Sequence, residues 1–141
     1  MQVKKILMLC FVLIILSVPV YATENIELQE KVDVNSTRFS NINLFQNTFE
    51  IEKYGKVVLT SAVDARNTDE IKISMYLQKY EDGRWQTVKH WSTIQSGTFA
   101  VLGTQRYVAS GYQYRMKSYA YVYKSDVLLE STVYTSGSKV Y

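Results

Sequence analysis

Apolar and polar residues alternate with a period of two along most of this chain. The clearest stretch is residues 70–80, where Ile71, Ile73, Met75 and Leu77 fall on one side of an extended backbone and Lys72, Ser74, Tyr76, Gln78 and Tyr80 on the other. That alternation predicts a half-buried strand. Glu81-Asp82-Gly83-Arg84 follows, and Asp-Gly supplies the positive φ that a tight hairpin turn requires. Residues 85–94 then form the partner strand. The same reading predicts strands at 38–45, 56–64, 99–108, 112–123 and 128–135, punctuated by Gly55, Gly83, Gly97, Gly103, Gly111 and Gly137. About seven short strands with turn signals between them predict an all-β, antiparallel two-sheet sandwich. Residues 37–141 make up this single domain, with no helical periodicity and no internal repeat.

The pattern differs at the N-terminus. Lys4 and Lys5 precede an apolar run over residues 6–18, and Pro19-Val20-Tyr21-Ala22 follows with small or short residues at its second and last positions. This is the layout of a secretory signal peptide, residues 1–22, with cleavage between Ala22 and Thr23. The run is too short to cross a hydrocarbon core of ~30 Å. The expected product is a secreted, extracellular protein without a membrane anchor. Residues 23–36 are polar and acidic, with Glu24, Glu27, Glu30 and Asp33 against Lys31, and read as a flexible leader.

Loss of the signal changes the chemistry. The formal charge of +3 falls to +1 without Lys4 and Lys5, so the basic balance is no argument for nucleic acid. Cys10, the one cysteine, and Pro19, the one proline, leave as well. A chain without thiols has no disulfides, thiolate metal sites or cysteine nucleophile. His90 is the sole histidine, too few for the usual zinc sites, and no nucleophile elbow accompanies it; it reads as a structural or surface residue. Residues 64–70 gather Asp64, Asn67, Asp69 and Glu70. These are oxygen ligands that calcium accepts, but the spacing is not an EF-hand's, so the segment reads as a polar turn. Asn35-Ser36-Thr37 fits the glycosylation triplet. The expectation is a protein with no cofactor and no catalytic activity.

In Val108-Ala109-Ser110-Gly111-Tyr112-Gln113-Tyr114-Arg115-Met116-Lys117-Ser118-Tyr119-Ala120, an apolar residue stands three before Gly111 and Tyr114 three after it, with small or apolar residues at every second position beyond. The segment resembles the tyrosine corner and following strand of fibronectin type III and immunoglobulin-like sandwiches. The resemblance implies that the Tyr114 hydroxyl ties the connection between the sheets to nearby backbone. The chain departs from that pattern in having no proline before Gly111, no tryptophan in the 56–64 strand and no cysteine pair. As a whole it is similar to a family of small secreted Gram-positive bacterial proteins known as a domain of unknown function. The likeness lies in the signal peptide, in Trp85 after the hairpin turn and in the GYQYRMKSYAYV stretch. That family implies no catalytic residue.

Six tyrosines fall between Tyr107 and Tyr123. With Tyr114, Met116, Ser118, Ala120 and Val122 facing the core, Arg115, Lys117, Tyr119, Tyr121 and Tyr123 face outward. In sandwiches of this type the hairpin's first strand lies alongside, which adds Tyr76 and Tyr80, and one of Trp85 and Trp91 extends the patch. Two readings stand beside each other. Cross-strand tyrosines stabilise a solvated sheet, and an aromatic patch bordered by Arg and Lys is also how binding surfaces look. The expected function is that of a monomeric, secreted binding module acting on a cell-wall glycan or surface protein. An antimicrobial or toxin-like protein and a structural matrix component are the alternatives.

Overall fold

The computed structural model describes residues 39–141. The signal peptide, the Ala22/Thr23 cleavage site, Cys10, the leader and the Asn35 triplet lie outside the described residues. Within them, β-branched and aromatic runs form β1 (Ile42–Ile51), β2 (Lys56–Ala65), β3 (Glu70–Glu81), β4 (Arg84–Ser96), β5 (Phe99–Tyr107), β6 (Gln113–Lys124), β7 (Val127–Thr135) and a two-residue β8 (Lys139–Val140). All pairings are antiparallel. One sheet has the order β1-β2-β5; the other has β4-β3-β6-β7, with β8 alongside β6. The fold is the two-sheet sandwich that the alternation predicts. No helix among the described residues is long and apolar enough to cross a membrane.

Most strand ends fall within two residues of the pattern, and two elements differ more. β1 begins at Ile42 and runs to Ile51 rather than over 38–45, because its partner sets it: Ile51 pairs with Val57 across a connection of only five residues, and the register runs back to Ile42 opposite Ala65. β8, too short to carry a period, was not anticipated.

The core is made of the inward set of each strand. Val57, Leu59 and Val63 of β2 meet Ile71, Ile73, Met75 and Leu77 of β3 and Met116, Ala120 and Val122 of β6, all fully buried. Burying each of the larger side chains is worth about 1.5–3 kcal/mol. At the mid-plane, the buried Ser118 hydroxyl donates to Ser61 Oγ at 3.0 Å and joins the sheets by a hydrogen bond. Two features predicted from sequence are present. The hairpin turn has positive φ at both Asp82 (52°) and Gly83 (75°). Tyr114 is buried, and its hydroxyl donates to the Ala109 carbonyl at 2.8 Å, closing the corner that Gly111 turns with φ 87°.

The sheet edges are irregular. Pairing slips by one residue between Ile42 and Leu44 in β1, at Val88 in β4 and at Leu129 in β7. The β5 edge is capped at one residue: the Gln95 amide donates to the Val101 carbonyl at 2.8 Å and accepts from the Val101 N–H at 3.2 Å. Bulges and covered backbone both obstruct the addition of a further strand.

Glu130 of β7 clasps the two sheets. Its carboxylate accepts from the backbone N–H groups of Ser40, Asn41 and Ile42 at 3.1, 2.8 and 2.9 Å. Burial by itself would raise its pKa; the amides of Ile42, Asn41 and Ser40, with Arg66 nearby, outweigh this and hold the carboxyl below its ordinary 4.5. A folded-state pKa below the unfolded one stabilises the protein above the unfolded value, and the gain is lost as pH falls through the folded value. Glu130→Ala is therefore expected to cost about 1.5–3 kcal/mol at pH 7. The difference from wild type should shrink in urea melts taken progressively below pH 4.5; a difference that stays constant with pH would show that the charged carboxylate is not what closes the clasp.

Candidate functional site

The outward residues of the β4-β3-β6-β7 sheet form one continuous face. Register places Tyr80 opposite Trp85 and Gln113, Gln78 opposite Thr87 and Arg115, Tyr76 opposite His90 and Lys117, Ser74 opposite Ser92 and Tyr119, and Lys72 opposite Ile94 and Tyr121. On the far side, Val133 stands opposite Tyr119.

The rings along this face meet in two groups. Tyr80 and Trp85 meet with centroids 5.2 Å apart. Tyr76 stacks on His90 at 4.3 Å and meets Tyr119 edge to face at 5.8 Å, and Tyr119 lies nearly parallel to Tyr121 at 6.3 Å. Stacking and edge-to-face contacts of this kind are worth about 0.5–1.5 kcal/mol each beyond the area they bury. Burial, and then the phenols of Tyr119, Tyr76 and Tyr123, push the Tyr121 hydroxyl above its ordinary value of 10.0, so it remains a neutral donor.

Cations are laid across the rings. The Arg115 guanidinium carbon is 4.2 Å from the Trp85 ring centre, Lys117 Nζ is 5.4 Å from that of Tyr119, and Lys72 Nζ is 6.0 Å from that of Tyr121. Arg115 Nε also donates to Gln78 Oε1 at 2.8 Å, which fixes the plane of the guanidinium. The ion pairs among the described residues are Lys56–Glu52 and Lys79–Glu81; neither involves this face.

Every predicted residue of the patch (Tyr76, Tyr80, Trp85, Arg115, Lys117, Tyr119, Tyr121 and Tyr123) lies on the face. Tyr123 occupies its end, opposite Glu70 and Leu128 and without a close ring contact. Of the two tryptophans it is Trp85 that extends the patch; Trp91 stands opposite Met75 and packs against the core. His90 and Lys72 belong to the face and were not read into the patch from sequence. Counting straight back from the turn would pair Tyr76 with Lys89; the extra residue at Val88 brings His90 there instead and turns Trp91 inward.

Elsewhere the chemistry is sparse. Residues 64–70 form a turn whose carboxylates diverge: Asp64 accepts from the Asn43 amide at 3.2 Å and Asp69 from the Ser125 N–H at 2.9 Å. Among the described residues no three His, Cys, Asp or Glu side chains gather to hold a metal ion. A groove of about 360 Å³ at the tyrosine-corner end is lined by Lys79, Gln86, Val88, Arg106, Tyr107 and Tyr114, on the opposite side of β3 and β4 from the ring ladder. In comparisons with other proteins, no family model and no curated protein matches the chain.

Proposed function

We propose that this protein is a secreted, non-catalytic binding module that engages a partner on the cell envelope or outside the cell through the outer face of the β4-β3-β6-β7 sheet. The observation that carries the reading is the charge pattern of the ladder. Charges placed on a sheet face for stability are commonly paired with opposite charges across strands. Here Lys72, Lys117 and Arg115 share one face with rings between them and have no carboxylate partner among the described residues. The half-exposed Val133 and Ile94 continue the same surface. An apolar and aromatic centre with Tyr, Trp and Arg is the composition of contact surfaces. The bulges in the β1, β4 and β7 edges, with the side-chain cap at Val101 of β5, weigh against the alternative of a matrix component assembled strand to strand.

Purified protein is expected to sediment with isolated cell envelopes. The Tyr76→Ala/Tyr119→Ala/Tyr121→Ala variant should stay in the supernatant while retaining a cooperative thermal transition. Undiminished sedimentation of that folded variant would remove the reading.

A further inference from the structure

Resting on that reading, we infer that the partner is a protein presenting carboxylates, and that Arg115 is the anchor that receives one of them. The ring faces decide against the simplest alternative, a neutral sugar stacked flat on an aromatic platform. Side chains stand roughly perpendicular to a sheet, and here one flat side of several rings already has a neighbour: His90 stacks on Tyr76, Tyr121 lies parallel to Tyr119, and Arg115 lies over Trp85. Each of these rings thus shares its surface with a neighbouring ring or a cation, which leaves less open platform for a sugar and places positive charge within the patch.

Arg115 is held in place before any partner arrives. Its Nε is committed to Gln78 and its plane rests on Trp85, which leaves the two terminal nitrogens, a parallel pair of donors, without a protein acceptor among the described residues. That fork matches a carboxylate in two parallel hydrogen bonds. The surroundings are complementary in sign. Lys117 follows two residues along β6, Lys72 lies farther down the same face, and β4 and β6 carry no acidic residue at all. Glu70, at the extreme end opposite Tyr123, is the one carboxylate in the outward rows of β3. The cations lie singly over rings, at unequal intervals along the face opposite or beside Gln78, Tyr76 and Tyr121, and do not form the regular track that suits a linear polyanion, so the observations favour a protein surface over a phosphate polymer.

The test uses immobilised poly-L-glutamate as a carboxylate-bearing polypeptide, with polyphosphate and a neutral glucan alongside. Wild type is expected to bind poly-L-glutamate in a salt-sensitive way. Arg115→Gln should weaken binding at least tenfold, and Arg115→Lys, which keeps charge but not the fork, should fail to restore it. Lys53→Gln, at the β1–β2 turn away from this face, should have no effect. Equal binding by folded Arg115→Gln overturns the inference, as does binding of polyphosphate without poly-L-glutamate. Ring-dependent binding of the neutral glucan alone would also overturn it, while leaving the binding face itself in place. Envelope sedimentation lost in the tyrosine variant but unchanged in Arg115→Gln separates the two claims in the same way.

Discussion

Tyr114→Ala is expected to destabilise the protein by about 3–5 kcal/mol, the usual cost of emptying a large aromatic site in a core, whereas Tyr114→Phe should cost about 1 kcal/mol, the worth of one hydrogen bond. The two substitutions separate what the residue does. Its ring is buried against the core at the second residue of β6. Its hydroxyl reaches back five residues to the Ala109 carbonyl and fixes the path by which the chain passes from one sheet to the other. Urea unfolding of both variants measures the difference. A Phe variant as stable as wild type would show that the corner is held by the ring alone.

The second large effect is expected at Gly55. Its φ is 73°, and a Cβ placed there would meet the Tyr141 ring and lie 2.7 Å from the Val108 carbonyl oxygen. That carbonyl cannot move away cheaply, because the Val108 N–H donates to the Gly55 carbonyl at 2.9 Å and locks the two segments together. Gly55→Ala therefore combines left-handed strain of roughly 1–2 kcal/mol with a backbone clash, and a total loss of about 2–4 kcal/mol is expected. Gly83 provides the control. Its φ of 75° is similar, but nothing lies within 4 Å of an added Cβ, so Gly83→Ala should cost only the strain. Equal losses at the two positions would mean that the packing around Gly55 yields.

The contrast between these glycines illustrates what the sequence makes legible. The Asp82-Gly83 turn is local, since its chemistry is contained in two adjacent residues, and it is readable without the fold. So is the tyrosine corner, whose donor and acceptor are five residues apart. The inward and outward sets of β3 and β6 follow from a strict period of two, and with them most of the aromatic face. Features that depend on a partner strand are not written locally. The start of β1 is fixed by β2 across the Glu52–Gly55 connection, and the clasp of Glu130 on Ser40, Asn41 and Ile42 joins residues about ninety positions apart. The bulge at Val88 has no glycine or proline to announce it, yet that single extra residue decides that His90 joins the ladder and Trp91 joins the core. The period of two already sets Lys72 on the side of Tyr76 and Tyr80; what depends on the register of β3 against β6 is its ring partner, Tyr121.

The cations also change the weight of the aromatic pattern. Tyrosines alternating along a strand satisfy a solvated sheet as well as a binding face. Arginine stacked on an indole and braced by a glutamine, with lysines over neighbouring phenols and acidic residues confined to the margins, is an arrangement that solvation alone does not call for.

The most direct test of that central claim is to map backbone amide shifts of the isotopically labelled protein on addition of solubilised envelope proteins. Changes concentrated in Lys72–Tyr80, Trp85–Ser92 and Arg115–Tyr123, and absent from the β1-β2-β5 sheet, are the predicted result. Changes centred on the Lys53–Gly55 turn, on residues 106–109 or on the outer face of β1, β2 and β5 would contradict it.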